Sequence, residues 1–278
     1  EPDWVEPVPC LTGLFKSSIV DSKLRSCITG GTSAANLTWT DFNYYSNQRL
    51  MQQIDYEMHK DIANLFYAKY GRRDSQSQCG YGQDTYNRTT GVTAVIGMQD
   101  TVNPENKKTL AWYKTTNSDG EVTYVQINSS NCLGYEDIYG GKYEMMDKVS
   151  LPNTPSAEVY KWYIEMPDGT IRKVKGASFS GMWITAVAHG KYMDVIPVGN
   201  KSGSDSTYYC DIFYISSAAG RVVFRSCSSA GASGGMSMAD ASNDSSYASA
   251  YIGSRLAFRG IIVLAISVKA FKELIAIA

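Results

Sequence analysis

The sequence predicts an α+β protein, with helix and antiparallel strands in a mixed fold that carries much irregular structure. Three observations predict it. Ser46 to Gly71 places Leu50, Ile54, Met58, Ile62, Leu65 and Phe66 at helical spacing. Asn117-Ser118-Asp119-Gly120 and Pro167-Asp168-Gly169 each separate two strand-like runs, which is a hairpin signal. A Ser/Ala/Gly-rich block, Ser226 to Tyr251, is clamped between two apolar, strand-like ends.

The elements follow in chain order. Glu1 to Pro9 is proline-rich and extended. Residues 1–40 are read as an N-terminal segment, packed on or linking to a domain spanning 41–278. Gly30 to Asn36 is small and polar, a loop. Ser46 is the expected N-cap of the helix, and Gly71 its C-terminal stop. His59 falls off the apolar stripe and is expected at the surface. Arg72 to Arg88 is polar, a loop, and Gly91 to Met98 is read as a strand. Leu110–Lys114 pairs with Val122–Ile127 in one hairpin; Tyr160–Met166 pairs with Thr170–Val174 in the other. Ile184–Ala188 and Ile212–Ile215 are further short strands. Val222-Val223-Phe224 and Ile252 to Phe258 flank the small-residue block. Ile261 to Val268 reads as a closing strand, followed by a short helix to Ala278. Lys269, Lys272 and Glu273 interrupt the ~20 apolar residues a membrane span needs, so no membrane insertion is expected.

Composition narrows the function. The chain has 278 residues and a net charge of −1, enough for a sizeable core and without the basic excess that nucleic-acid binding requires. Tyrosine outnumbers phenylalanine, 20 to 8; it offers stiff, amphipathic contact area suited to recognition. Two histidines, His59 and His189, leave little for imidazole chemistry. The six cysteines are scattered and form no CxxC pair, so the expectation is a reduced protein without a zinc ribbon. The chain begins at Glu1 rather than Met, so an upstream tag, signal or longer protein is expected.

Within the block, alanines recur in pairs: Ala230 and Ala232, Ala239 and Ala241, Ala248 and Ala250. Spacing two puts both members of a pair on one face of an extended chain. The expectation is that the alanines pack inward. The opposite face then carries Ser229, Gly231, Ser233, Met238, Asp240, Ser242, Tyr247, Ser249 and Tyr251, with Cys227 and Ser228 just before them. Most of these are what base changes at the adenines of an Asn codon produce, although Met238 is not. The segment GGMSMADASNDSSYASAYIGSRLAFRG thus resembles the variable region of proteins diversified by retroelements in gut Bacteroidetes and their phages.

A second stretch extends the resemblance. Cys132 to Val149, with Gly134, Asp137, Gly140 and Glu144, is similar to a motif of formylglycine-generating enzymes and related C-type lectin-fold domains. Gly141 stands there for Asn and Met145 for Trp. Gly253-Ser254-Arg255-Leu256 is similar to that family's terminal Gly-Phe-Arg, with Ser for Phe. The resemblance covers about residues 130–260, with the variable region about 221–260, and implies a C-type lectin-like fold of the formylglycine-generating-enzyme type.

It also implies a binding protein whose outward positions vary, with no cofactor. One implied setting is a phage tail-fibre tip, on the virion, contacting a host cell-surface receptor; a homotrimer is the arrangement such a fibre implies. The alternative is an adhesin of the same fold displayed on the bacterial surface. A formylglycine-generating-like enzyme is the rival from another class. That chemistry needs a cysteine pair for copper, and the matching region has Cys227 alone. A related branch builds iron on three histidines, one more than this chain has. Gly231-Ala232-Ser233-Gly234-Gly235 lacks the lysine of a phosphate-binding loop. No catalytic residue is expected. Asp240, Asn243 and Asp244 are the only calcium candidates in the block, and they are read as solvated polar residues, so no metal is expected.

Overall fold

Thr38 starts the first helix, α1 (Trp39–Asn47), through a reciprocal cap. Its hydroxyl accepts from Asp41 N at 3.1 Å, and Asp41 Oδ2 accepts from Thr38 N at 2.9 Å. Thr38-x-x-Asp41 thus satisfies two backbone donors at once. The computed structural model describes residues 10–26, 31–48, 51–83, 89–90, 110–116, 118–128, 130–152, 161–177, 180–226 and 233–260. The expected strand at Gly91–Met98 and the tail Ile261–Ala278 lie outside these residues. So do Glu1–Pro9.

The single helix expected over 46–70 is two helices. Ser46 lies inside α1 and is not a cap. Gln52–Gln53 is a strand between them, and α2 runs Tyr56–Tyr70. Asp55 is its N-cap, accepting from Met58 N at 2.8 Å. Gly71 ends it in the left-handed region at φ 61, as a C-terminal stop requires. The break is imposed from afar, because Gln52–Gln53 pairs with the strand Leu256–Arg259. His59 is a second correction. It is fully buried, with Nε2 3.3 Å from Met236 O. Leu65, on the expected stripe, is instead 61% exposed. The buried arc of α2 is turned toward Tyr56, His59, Ala63 and Phe66. A third helix, α3 (Ser75–Cys79), is capped by Asp74.

Both hairpins form, Leu110–Thr116 with Val122–Asn128 and Lys161–Glu165 with Ile171–Lys175. The second belongs to a nine-stranded sheet. Its order is Ile171–Lys175, Lys161–Glu165, Tyr143–Leu151, Arg221–Arg225, Ala239–Ala241, Ile212–Ile215, Met182–Ala188, Ile196–Lys201. Ile252–Gly253 adds to it, parallel to Tyr143–Glu144. A smaller sheet joins the ends of the described chain: Cys10–Thr12 pairs with Leu256–Arg259. Gly13 N and Ser17 N donate to Leu256 O and Ser254 O, at 2.8 and 2.9 Å. These residues of the N-terminal segment are therefore packed on the body. The fold is α+β, and no described helix is long and apolar enough to cross a membrane.

Alternation along Arg221–Arg225 serves two cores. Val223 faces a large cluster with Tyr56, Phe66, Trp162 and Phe213. Val222 and Phe224 face a smaller one with Phe42, Met145 and Ile252. Cys79 and Cys132 form a disulfide with their Cα atoms 5.4 Å apart, which corrects the expectation of a fully reduced chain. The two cysteines are 53 residues apart, so their spacing gave no local signal.

Candidate functional site

The Ser/Ala/Gly block divides at Ala241. Ala239–Ala241 is a central strand of the large sheet, parallel to Ile212–Ile215 and antiparallel to Arg221–Arg225. Ala239 and Ala241 are fully buried and Asp240 between them is half-buried, so alternation holds there. It does not hold on either side. Ala248 is exposed and Ala250 half-buried, because the chain turns after Ala241 and period two applies only to a strand. Met238 was expected outward and is 2% exposed, so it does not belong to the surface. It follows Gly234-Gly235-Met236-Ser237, all buried.

Asp211 organises that buried run. Gly235 N and Ser237 N donate to its two carboxylate oxygens, and Met236 N donates to Ser75 Oγ at 2.8 Å. Burial pushes the Asp211 carboxyl up to about 7, against the pull of the two backbone donors. A Cβ on Gly235 would lie 2.8 Å from Asp211 Oδ1 and closer still to Ser75 Oγ. Only glycine fits between them. Ser233, half-buried, gives its carbonyl to Ile212 N at 3.0 Å.

Ser242 to Tyr251 is the surface half. Tyr247 and Tyr251 are 40% and 45% exposed, and Ser245, Ser246 and Ala248 are exposed beside them. Ser242 and Ser249 are half-buried. The loop's backbone is held from outside. Ser242 O accepts from Arg221 Nη1 at 3.2 Å and Asn243 O from Val222 N at 3.0 Å. Ser245 O accepts from Trp39 N at 3.2 Å and Ser249 O from Asn36 N at 3.0 Å. Ala250 O accepts from Lys142 Nζ at 2.7 Å and Tyr251 O from Tyr143 N at 2.8 Å. Six carbonyls are thus fixed by donors on other segments, and none of these bonds involves a loop side chain. Inside the loop, Asp244 Oδ1 accepts from Ser246 Oγ at 2.5 Å and from Ser246 N at 2.9 Å, a local turn that lowers the carboxyl's pKa, the hydroxyl first. Beneath it, Tyr247 meets Phe224 with ring centroids 6.4 Å apart.

The loop's far end is tied to a buried ionic centre. Arg255 Nε donates to Glu144 Oε2 at 3.0 Å, with both side chains fully buried. Arg255 also donates to Gly13 O and Glu136 O, each at 2.9 Å. Asp137 Oδ1 caps Ser130 N at 2.9 Å. The two stretches singled out in the sequence, Gly134–Met145 and Gly253–Leu256, therefore meet. Arg255 and Glu144 are their junction.

Cys227, Ser228, Ser229 and Gly231 lie outside the described residues, as do Ala230 and Ala232. Of the remaining expected contact residues, Tyr247, Ser249 and Tyr251 come together in one loop. Ser242 starts that loop. Asp240 sits under it, its Oδ1 accepting from Ser242 N at 2.8 Å, with burial raising its pKa. Ser245 and Ser246 were missed, since they fell outside the alternating set. Gly231-Ala232-Ser233-Gly234-Gly235 also has the Gly-x-Ser-x-Gly spacing of a hydrolase nucleophile elbow. That elbow needs a strand–turn–helix frame. Here turns lead from Ser233 into the strand Ala239–Ala241. Among the described residues, no group of three or more His, Cys, Asp or Glu could hold a metal.

No family model matches this chain, and no curated protein matches it.

Proposed function

We propose that this chain is a hypervariable ligand-recognition protein of the C-type lectin fold, carried at the tip of a phage tail fibre. Its contact surface is the Ser242–Tyr251 loop, and its ligand is a receptor on the host cell surface. The observation that carries this reading is the anchoring of six loop carbonyls by donors outside the loop. Side chains on such a loop change without changing its path. That is what a retroelement rewriting adenine positions demands of its target. Tyr247 and Tyr251 are the aromatic anchors, with small serines around them. The Arg255–Glu144 junction supports the fold reading, because it joins the two stretches that carry the family resemblance. The Cys79–Cys132 disulfide suits a protein displayed outside a reducing cytosol.

The test replaces both tyrosines, Tyr247→Ala with Tyr251→Ala, and measures attachment to host cells. Two aromatic anchors worth ~2 kcal/mol or more each predict a loss well over tenfold. Attachment that survives intact places recognition elsewhere on the chain.

A further inference from the structure

Beside the loop lies a groove of about 810 Å³, within the ~300–1,000 Å³ range of small-molecule sites. It runs from α1 across the face of the large sheet to Ile171, on the edge strand Ile171–Lys175. Its sheet wall includes Asp147 to Ser150, four consecutive residues. A regular strand would present only every second one to the same face. Here the register shifts between Met145 and Ser150, and Lys148 has left-handed backbone at φ 57. Such a bulge re-aims side chains, and Asp147 reaches the wall through it.

The cations around this wall are already taken. Lys148 is ion-paired with Glu165. Arg221 faces Asp244 at 3.8 Å and donates to Ala219 O and Ser242 O. Asp55, bridged to Asp147 through the backbone, is held by Arg259 at 3.0 Å. Each of these cations has its acid, and Asp147 is the acid left over. Asp147 is only 9% exposed. Its Oδ1 accepts from Lys148 N at 2.9 Å, and among the described residues its Oδ2 has no partner. Burial raises this carboxyl's pKa, and the neighbouring Lys148 does not offset it. A buried charge is costly unless it is paired, so this oxygen favours a cation brought by a ligand.

We infer that this groove binds an alkylammonium ion, a primary amine on an apolar stem. One unpaired carboxylate suits one ammonium, and among the described residues no group of three or more His, Cys, Asp or Glu could hold a metal instead. The side-chain carbonyl of Asn43, on the same wall, is a further acceptor for the ammonium N–H groups. The Tyr163 ring is already faced by Lys173 Nζ at 4.9 Å, which leaves Trp39 as the aromatic surface for the cation or its stem. Pro152 and Ile171 add apolar wall for the stem. An anion would be repelled by Asp147, and a neutral ligand would bury it further without pairing it. Ser245 is the single loop residue on the wall, so the site stands whether or not the loop binds a receptor.

The experiment titrates the whole chain with n-hexylamine, with its isosteres hexan-1-ol and hexanoate, and with Nα-acetyl-lysine methylamide. Calorimetry and saturation-transfer NMR read binding at constant ionic strength. The two amines stand for two sources, a free amine and the lysine side chain of a protein. Binding of either supports the site, and the tighter one names the source. At least one amine should bind, and the alcohol and the carboxylate should bind at least tenfold more weakly. Asp147→Asn keeps an acceptor for Lys148 N, so it should not lower the melting temperature, yet it should weaken amine binding at least tenfold, the worth of a charged hydrogen bond. Asn47→Trp, at an exposed position on the rim, should fill the groove and abolish binding; it carries the test if Asp147→Asn does not fold. The proposal is overturned if neither amine binds at millimolar concentration, or if hexan-1-ol or hexanoate binds as tightly. It is equally overturned if amine binding is indifferent to Asp147→Asn or, where that variant does not fold, to Asn47→Trp.

Discussion

Gly234–Ala241 and Ser242–Tyr251 are adjacent and similarly rich in Ser, Ala and Gly, yet they are opposite in kind. The first is buried, and its backbone donors are matched to particular groups, Asp211 and Ser75. The second is exposed, and its carbonyls are held by donors that ignore its side chains. Small residues serve different ends in the two. In the first they let two backbone segments and a carboxylate approach closely. In the second they leave room around two tyrosines. A high share of small residues does not separate a core segment from an exposed loop; the direction of the hydrogen bonds does.

The largest expected effect lies at the loop's far anchor. Arg255→Met leaves the buried Glu144 with only Lys16 Nζ, 3.7 Å away, and removes the donor to Gly13 O and Glu136 O, which should cost ~3–5 kcal/mol. Denaturant unfolding measures it, and a loss below ~1 kcal/mol would mean the ionic centre does not hold the loop. Next is the buried half. Gly235→Ala forces a Cβ against Asp211 and Ser75 and should cost ~1–3 kcal/mol. A neutral result would erase the contrast between the two halves.

Asp211→Asn sharpens the same contrast through pH. The amide cannot accept at both positions, so one buried N–H loses its partner, at ~1–3 kcal/mol. The sign of the pH effect follows from the raised pKa of about 7. An unfolded Asp titrates near ~3.9. Between about pH 4 and pH 7 the folded state keeps a proton that the unfolded state has released. This group's contribution therefore falls as pH rises through that window. The stability gap between the native chain and Asp211→Asn should narrow from about pH 4 to about pH 8. A gap that widens would mean Asp211 is ionised throughout.

Much of the fold was legible where the determinants are local. Both hairpins follow from turn residues between alternating runs, and the end of α2 follows from Gly71. The start of α2 was not legible, because the strand Gln52–Gln53 exists only through its partner Leu256–Arg259. Thr38-x-x-Asp41 is a local signal for α1 that lies outside the helix expected over 46–70. His59 reads as a surface residue until Met236, 177 positions later, covers it. At the candidate site, the exposure of Tyr247 and Tyr251 was legible from the block. The burial of Met238 was not. The alternating register was extended past Ala241, where the strand ends and turn geometry takes over.

The smallest expected effect tests the central claim most directly, namely that the loop keeps its path whatever its side chains. The measurement is thermal melting of a chain with Ser245, Ser246, Tyr247, Ala248 and Tyr251 all replaced, leaving Asp244 and Ser249 in place. Exposed positions shift stability by ~0.5 kcal/mol or less each, and Tyr247 loses its contact with Phe224 besides. The melting temperature should stay within about 5 °C of the native chain, with a single cooperative transition. A fall of about 15 °C or more, or loss of the transition, would show that these side chains build the loop, and would contradict the account.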